Sequence, residues 1–406
     1  MTMITTRFVF ILVLLVSIRP LLAADTRAER LKQQRLAKAN TLKPPERSSL
    51  EKGLYKAKED RLLERYQAGY KGFHLMVGGM NTGSGFALGT LYRKDRIFDT
   101  PLSFSASAQA SLSRYQKYTM AVEAPDLAGR RMFASFNFGY RNFPQEDFYG
   151  IGSDSKEENR VNYSLEDTNY NLTVGVRPAR SLAIGTRIGL LNNHTGPGTD
   201  IRFPSIERVF DVVAFPGLYI QPDYSYVGAF AAYDTRSEPL NPRSGGLYRV
   251  ETTHFDDRDF SQYSFQGWKI EAQQYFPFFN ERRVIAARAR LQLTDTHPGQ
   301  QVPFFLLPAL GGSEDLRGFS ELRFRDKQAL VMNLEYRWEA FSGLDLALFG
   351  DAGNVFHGIR DITLHNLHTS YGVGARVNTK KSVFLRIDVG FGREGPQTFF
   401  KFGHVF

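Results

Sequence analysis

From Phe73 to the end of the chain, apolar and polar side chains alternate with a period of two in one segment after another. In Leu330 to Trp338, Met332, Leu334, Tyr336 and Trp338 point one way, and Asn333, Glu335 and Arg337 point the other. Ser382 to Phe391 sets Val383, Leu385, Ile387, Val389 and Phe391 against Arg386 and Asp388. His368 to Asn378 sets Tyr371, Val373, Ala375 and Val377 against His368, Ser370, Arg376 and the glycines. Arg283 to Leu293 sets Ile285, Ala287, Ala289 and Leu291 against Arg288, Arg290 and Gln292. Successive side chains of a strand point to opposite faces, so each segment predicts a β-strand with one apolar and one charged face. A soluble sandwich alternates too, but it rarely runs to so many long strands without a domain break. An apolar face toward lipid and a charged face toward a watery lumen describe a transmembrane antiparallel barrel.

The pattern predicts an all-β fold of 16 strands, near 73–81, 84–94, 102–113, 116–124, 131–142, 160–176, 181–193, 223–235, 246–256, 262–276, 283–294, 329–340, 344–354, 368–378, 382–392 and 397–406. Each strand with its connection averages about 21 residues, as strands of about ten residues joined by alternating short turns and longer loops require. Strand counts of 14 or 12 also fit, because boundaries read from a sequence shift by a few residues. A barrel of this size encloses an aqueous interior.

The front of the chain reads differently. Phe8 to Ile18 is an apolar run of 11 residues preceded by Arg7 and followed by Arg19-Pro20 and Leu22-Ala23-Ala24. It is too short to span a bilayer, so 1–24 is expected to be a secretory signal removed after Ala23 or Ala24, with an uncleaved anchor as the alternative. Residues 25–71 carry 13 Lys/Arg against 7 Asp/Glu and hold most of the net charge of +9. Two helices are expected there: 27–40, stopped by Pro44-Pro45, and a second opened by Ser48-Ser49-Leu50-Glu51 and running to about Tyr66. Leu50, Leu54, Leu62 and Tyr66 make a thin apolar stripe that calls for a partner surface. This basic helical segment, expected in the periplasm, suits acidic lipid headgroups or an acidic protein partner, and no nucleic acid. Residues 72–406 form the barrel domain.

Composition narrows the chemistry. There is no cysteine, so disulfides, thiolate metal sites and cysteine nucleophiles are excluded. Mean hydropathy is −0.32, which excludes a bundle of membrane helices. Neither His-Glu-x-x-His, Gly-x-Ser-x-Gly, a Walker loop nor a dinucleotide fingerprint occurs. The expectation is a protein without catalytic residues, cofactor or metal; His357, His365 and His368, which fall near one another, are read as a solvated loop.

Between the eleventh and twelfth predicted strands lies a long connection, Asp295 to Gln328, holding Gly311-Gly312-Ser313-Glu314-Asp315-Leu316-Arg317-Gly318-Phe319. Leu334-Glu335-Tyr336-Arg337 and then Phe349-Gly350-Asp351-Ala352-Gly353 come after it, and the chain closes on Phe400, Phe402 and Phe406. These pieces, in this order, resemble the barrel-assembly (bacterial surface antigen) superfamily of outer-membrane proteins, as do Phe138-Gly139-Tyr140, Phe148 to Gly152, and Asp234-Thr235-Arg236 with Gly245-Gly246. In that family a Leu/Val-Arg-Gly-Phe/Tyr loop folds back into the lumen and its arginine meets acidic and aromatic residues of the next two strands. The resemblance implies a lumen-loop motif of Leu316, Arg317, Gly318 and Phe319 facing Glu335, Phe349, Asp351 and Gly353, with Phe400, Phe402 and Phe406 as a C-terminal assembly signal.

The implied activity is insertion or translocation of a protein or lipid through a seam between first and last strands. The implied partners are outer-membrane lipids, nascent outer-membrane proteins or lipid clients, and a periplasmic protein at the basic helices. A passive pore or structural barrel is the alternative; an outer-membrane hydrolase, a third reading, has no motif to support it. The departure lies at the front: residues 25–71 carry no strand pattern of the family's periplasmic polypeptide-transport-associated modules, which puts client capture by such modules in doubt.

Overall fold

A computed structural model describes residues 69–402 except 79, 81–83, 99, 211–214, 219, 380 and 381, together with Ser49. The expected signal segment and both expected helices therefore lie outside the described residues, as does the compact unit Met1–Gly53 apart from Ser49. Every described strand belongs to the second unit, Leu54–Phe406.

The strands are β1 (Phe73–Gly78), β2 (Ala87–Lys94), β3 (Ser103–Ser111), β4 (Gln116–Leu127), β5 (Met132–Phe148), β6 (Val161–Ala179), β7 (Leu182–Pro197), β8 (Tyr224–Asp234), β9 (Gly245–Asp257), β10 (Phe265–Phe278) and β11 (Arg283–Asp295). The two-residue strands β12 (Ala309–Leu310) and β13 (Phe324–Arg325) come next, and then β14 (Gln328–Phe341), β15 (Leu344–Phe356), β16 (His368–Asn378), β17 (Val383–Gly392) and β18 (Gly395–Lys401). Sixteen of them form one antiparallel sheet in chain order, with β12 and β13 paired only to each other inside the β11–β14 connection. This is the 16-stranded barrel that the alternation predicts. β5 runs on to Phe148, beyond the expected end near 142, past a register shift between Phe143 and Glu146.

Side-chain exposure follows the alternation. On β14, Leu334 is 56% exposed while its neighbours Asn333 and Glu335 are buried. Outward Leu348, Tyr371 and Val373 are exposed, as lipid-facing residues must be, and inward Asp351, Ser370 and Arg376 are buried. One position breaks the expected pattern: a register shift beside Asn378 and Val383 turns Val383 inward, where it is buried. A bulge inserts one residue and so exchanges the faces on either side of it.

The longest connections lie at one end of the barrel. The β6–β7, β10–β11 and β14–β15 turns are a few residues long, whereas β7–β8, β11–β14 and β15–β16 are long loops at the opposite end. Short turns face the periplasm and long loops the exterior in such barrels. Because the strand number is even, β1 starts and β18 ends at the short-turn mouth.

The long loops pack over the outer mouth. Phe148, Val161, Tyr163, Ile206, Leu218, Phe304 and Phe305 form one buried cluster. Leu191, Tyr224, Tyr263, Phe265, Val302 and Leu307 form a second beside it. Phe304 is the hub of the first, edge-on to Phe148 at 5.1 Å, to Tyr163 at 4.9 Å and to Phe305 at 5.6 Å. Aromatic pairs at these separations add to the gain from burial. An apolar layer thus covers the outer ends of β5 to β10.

Candidate functional site

The β11–β14 connection descends from that layer onto the inner wall. Its hairpin β12–β13 carries Leu310 and Phe324, which pack with Leu316, Phe319, Ala329, Val331 and Val355 in a sealed apolar cluster. Phe319 lies edge-on to Phe324 at 5.2 Å, and Phe324 stacks on the His368 ring at 3.9 Å. His368 is thus buried in the loop's seat and does not share a solvated loop with His357, a correction that comes from its place on the first inward position of β16.

Arg317 sits at the bottom of the loop and is 0% exposed. Its Nε and Nη2 donate to the two oxygens of Asp351 at 2.9 and 2.7 Å, a bidentate fork. Its Nη1 donates to Glu335 Oε2 at 2.5 Å, and its backbone N–H to Asp351 Oδ2 at 3.1 Å. The guanidinium lies 3.5 Å above the Phe349 ring. Planar forks match carboxylates, and a ring face adds attraction to the cation. Burial disfavours the Arg317 cation, but Asp351 and Glu335 outweigh it and raise its pKa above the ordinary value.

The register explains the meeting. Asn333 pairs with Asp351 and Asp351 with Ser370, while Glu335 pairs with Phe349 and Phe349 with Gly372. These inward positions form two adjacent rows across β14, β15 and β16. Asn333 Nδ2 and Ser370 Oγ donate to Asp351 at 2.9 and 3.3 Å. Glu335 also accepts from Arg337 Nε at 2.7 Å and from Arg376 Nη2 at 3.0 Å. Arg376 Nη1 in turn donates to Asp388 Oδ1 at 2.6 Å.

The loop backbone is held as well. Arg386 Nη2 donates to Ser313 O at 3.0 Å, Arg288 Nη1 to Glu314 O at 2.8 Å, and Asn333 Nδ2 to Asp315 O at 2.7 Å. Gly318 lies flat against β17: a Cβ there would stand 2.6 Å from Gly392 N, and one on Gly390 would stand 2.0 Å from the Arg317 carbonyl oxygen. Only glycine at both surfaces lets the two backbones approach this closely. Gly353 lies beside Leu310 Cδ1 in the same way.

Higher on the loop, Arg323 is clamped by Glu394 at 3.0 and 2.9 Å and by Ser155, and lies 4.7 Å from the Tyr149 ring. Sequence reasoning did not find Arg323, Arg376, Arg386, Asp388 or Glu394. The alternation does mark Arg376, Arg386 and Asp388 as inward, but not as sharing a depth with Arg317.

At the seam, Phe400 is exposed on the lipid face. Phe402 meets Phe384 edge-on at 5.5 Å, and its ring would stand 2.6 Å from a Cβ on Gly78 of β1. Phe406 lies outside the described residues. β1 is 6 residues long and β18 is 7, against 13 or more for β9 to β11, and among the described residues no ladder joins the two.

Comparison with family models matches residues 97–404 to the Omp85 superfamily domain. Among solved structures, BamA from Haemophilus ducreyi lacking POTRA domains 1–3 is similar with a TM-score of 0.59 at 12% identity, over 82% of this chain and 70% of that one. CdiB from Escherichia coli is similar with a TM-score of 0.55 at 12% identity, over 81% of this chain and 61% of that one. At these identities the likeness is one of fold. A comparison with curated proteins gives no match.

Proposed function

The chain belongs to the Omp85 superfamily and is an outer-membrane β-barrel, and from that premise we propose that it inserts or translocates a protein or lipid client at the bacterial outer membrane. The route is lateral, through the seam between β1 and β18, while the loop anchored by Arg317 holds the adjoining wall, β14 to β17, in shape. The observation that carries this reading is the pairing of an apolar layer over part of the outer mouth with a weak seam. Phe148, Phe304 and Phe305 sit in an apolar layer across the long-loop end, which disfavours axial passage. The first and last strands are short and joined at the side-chain level by Phe402 against Gly78. Among the described residues every other pair of neighbours is laddered, so the short β1 and β18 make this the place where the sheet gives way first.

On this reading the protein performs no covalent chemistry and needs no cofactor. The site residues Leu316, Arg317, Gly318 and Phe319, with Glu335, Phe349, Asp351 and Gly353, act by holding the wall, and Phe400, Phe402 and Phe406 by directing assembly and closing the seam. A periplasmic partner would dock on the basic residues 25–71. A passive pore remains the competing class; it would need the apolar roof to open.

The test is photo-crosslinking in cells with probes at Leu75 and Phe402. Adducts with nascent outer-membrane proteins or with lipids are expected, and would name the client. A folded barrel that gives no adduct at either position, together with a large steady conductance, would overturn the lateral route in favour of a pore.

A further inference from the structure

The lumen is not evenly charged. The wall opposite the Arg317 loop encloses a cavity of about 750 Å³ near the short-turn mouth. Five arginines line it, Arg177, Arg180, Arg187, Arg236 and Arg249, against one carboxylate, Asp234, and a second carboxylate, Glu251, is paired to two of these arginines from the neighbouring cavity. Glu251 is already held by Arg187 Nη2 at 2.5 Å and Arg249 Nε at 2.9 Å, and Asp234 by Arg236 at 3.0 and 2.9 Å. Arg177 and Arg180 have no ion pair among the described residues; the first donates to the Pro125 carbonyl at 2.6 Å. The excess is three positive charges.

These arginines are also pre-aimed. Arg177 lies 4.6 Å from the Phe133 ring, and Arg249 and Arg187 lie 4.8 and 5.9 Å from Phe230, so ring faces fix three guanidinium planes. Asn169, Asn171 and Thr173 add neutral polar groups to the same wall. A second cavity of about 540 Å³ continues toward the loop, sharing Asn169, Arg187 and Tyr226 and adding Lys269, Arg290 and Arg325. Lys269 and Arg290 are paired there with Glu271 and Asp315, and Glu251 lines the same cavity, so the positive field is strongest at the mouth. A concave site with low-dielectric walls concentrates such a field.

We infer that this cavity binds a phosphate-bearing small molecule or headgroup entering from the periplasmic mouth. Guanidinium forks match phosphate oxygens in bidentate geometry. The volume is that of a small-ligand pocket, within the range of about 300–1,000 Å³. Arg180 stands at the β6–β7 turn, at the short-turn mouth of the barrel. The basic segment 25–71 is an unsuitable occupant, since its own charge is positive.

The test uses the full chain, folded in detergent and checked by heat-modifiable gel mobility. Inorganic pyrophosphate and dihexanoyl phosphatidic acid are titrated by calorimetry, with dihexanoyl glycerol, which has no phosphate, as the control. One saturable site for the first two is expected, at least tenfold tighter than for the control and weakened by added salt. Arg177→Gln with Arg180→Gln should weaken it tenfold or more. Arg180→Gln alone, at an exposed turn position, should weaken it severalfold and keeps the test valid if the double variant does not fold. Equal affinity for both probes identifies the phosphate alone as the ligand; tighter binding of the lipid identifies a headgroup with its chains. Absence of a saturable site for either probe, or binding indifferent to both variants, would overturn the inference. None of these outcomes depends on whether the seam opens.

Discussion

Replacing Arg317 by methionine removes a buried cation while keeping most of its volume. The cost depends on what is left behind. Glu335 keeps two cations, Arg337 at 2.7 Å and Arg376 at 3.0 Å. Asp351 loses its only cation among the described residues and keeps Asn333 and Ser370. Breaking a buried pair from one side costs about 3–5 kcal/mol, mainly through the charge that is orphaned. With one of two carboxylates orphaned, the expected loss is near the lower end, about 3 kcal/mol, or roughly a hundredfold in the folding constant. Asp351→Asn added to Arg317→Met should restore most of it, because no uncompensated charge then remains. Glu335→Gln added instead should restore nothing, because Asp351 stays orphaned and Arg337 and Arg376 lose the carboxylate they share. The assay is urea unfolding in lipid vesicles, read by the fluorescence of Trp268 and Trp338. A single-variant loss under about 1 kcal/mol would mean a wet, screened network. Equal rescue by both second substitutions would refute the assignment of the orphaned charge to Asp351.

Other contacts carry expectations of their own. Gly390→Val drives a side chain into the Arg317 carbonyl oxygen and should destabilise by about 1–3 kcal/mol or more in the same urea assay; unchanged stability would mean that the loop does not rest on β17. Arg323→Gln releases Glu394 from its clamp, so limited proteolysis at the 393–394 turn should accelerate, and an unchanged cleavage rate would remove the clamp's role. Phe304→Ala opens the roof at its hub, at about 3–5 kcal/mol locally, and should raise single-channel conductance in planar bilayers; a wild-type protein already conducting steadily would contradict a sealed roof. Leu334→Arg places a charge on the lipid face and should cost about 2–4 kcal/mol if the residue lies near the midplane, measured as loss of folded barrel in vesicles.

Strand number and facing were legible in the sequence because lipid outside and water inside impose a period of two on every strand. Leu334 and Glu335 read as opposite faces from sequence, and they are opposite in the barrel. The partners of Arg317 came into view through the order of three short motifs. Arg376, Arg386 and Asp388 did not, because their depth is set by register across β14 to β17. Register depends on turn lengths and on bulges such as that beside Val383, which also exchanged the face of that residue. The β12–β13 hairpin escaped notice since two residues per strand carry no periodicity. The aromatic roof joins residues from β5, β6 and two distant loops, a convergence that no local pattern records.

The position of Arg317 in the chain has a kinetic consequence. Its loop precedes the strands that receive it: Glu335 lies 18 residues further on, Asp351 34, and the Arg386 that grips Ser313 lies 73 away. Contacts of such separation form late, after the loop-closure entropy between them has been met. The loop therefore seats only once β14 to β17 have paired, and until then three carboxylates and four arginines wait in an unfinished wall. A chain that stalls before β17 would lack Arg386 and Asp388, so the loop and the last strands complete one charge network together.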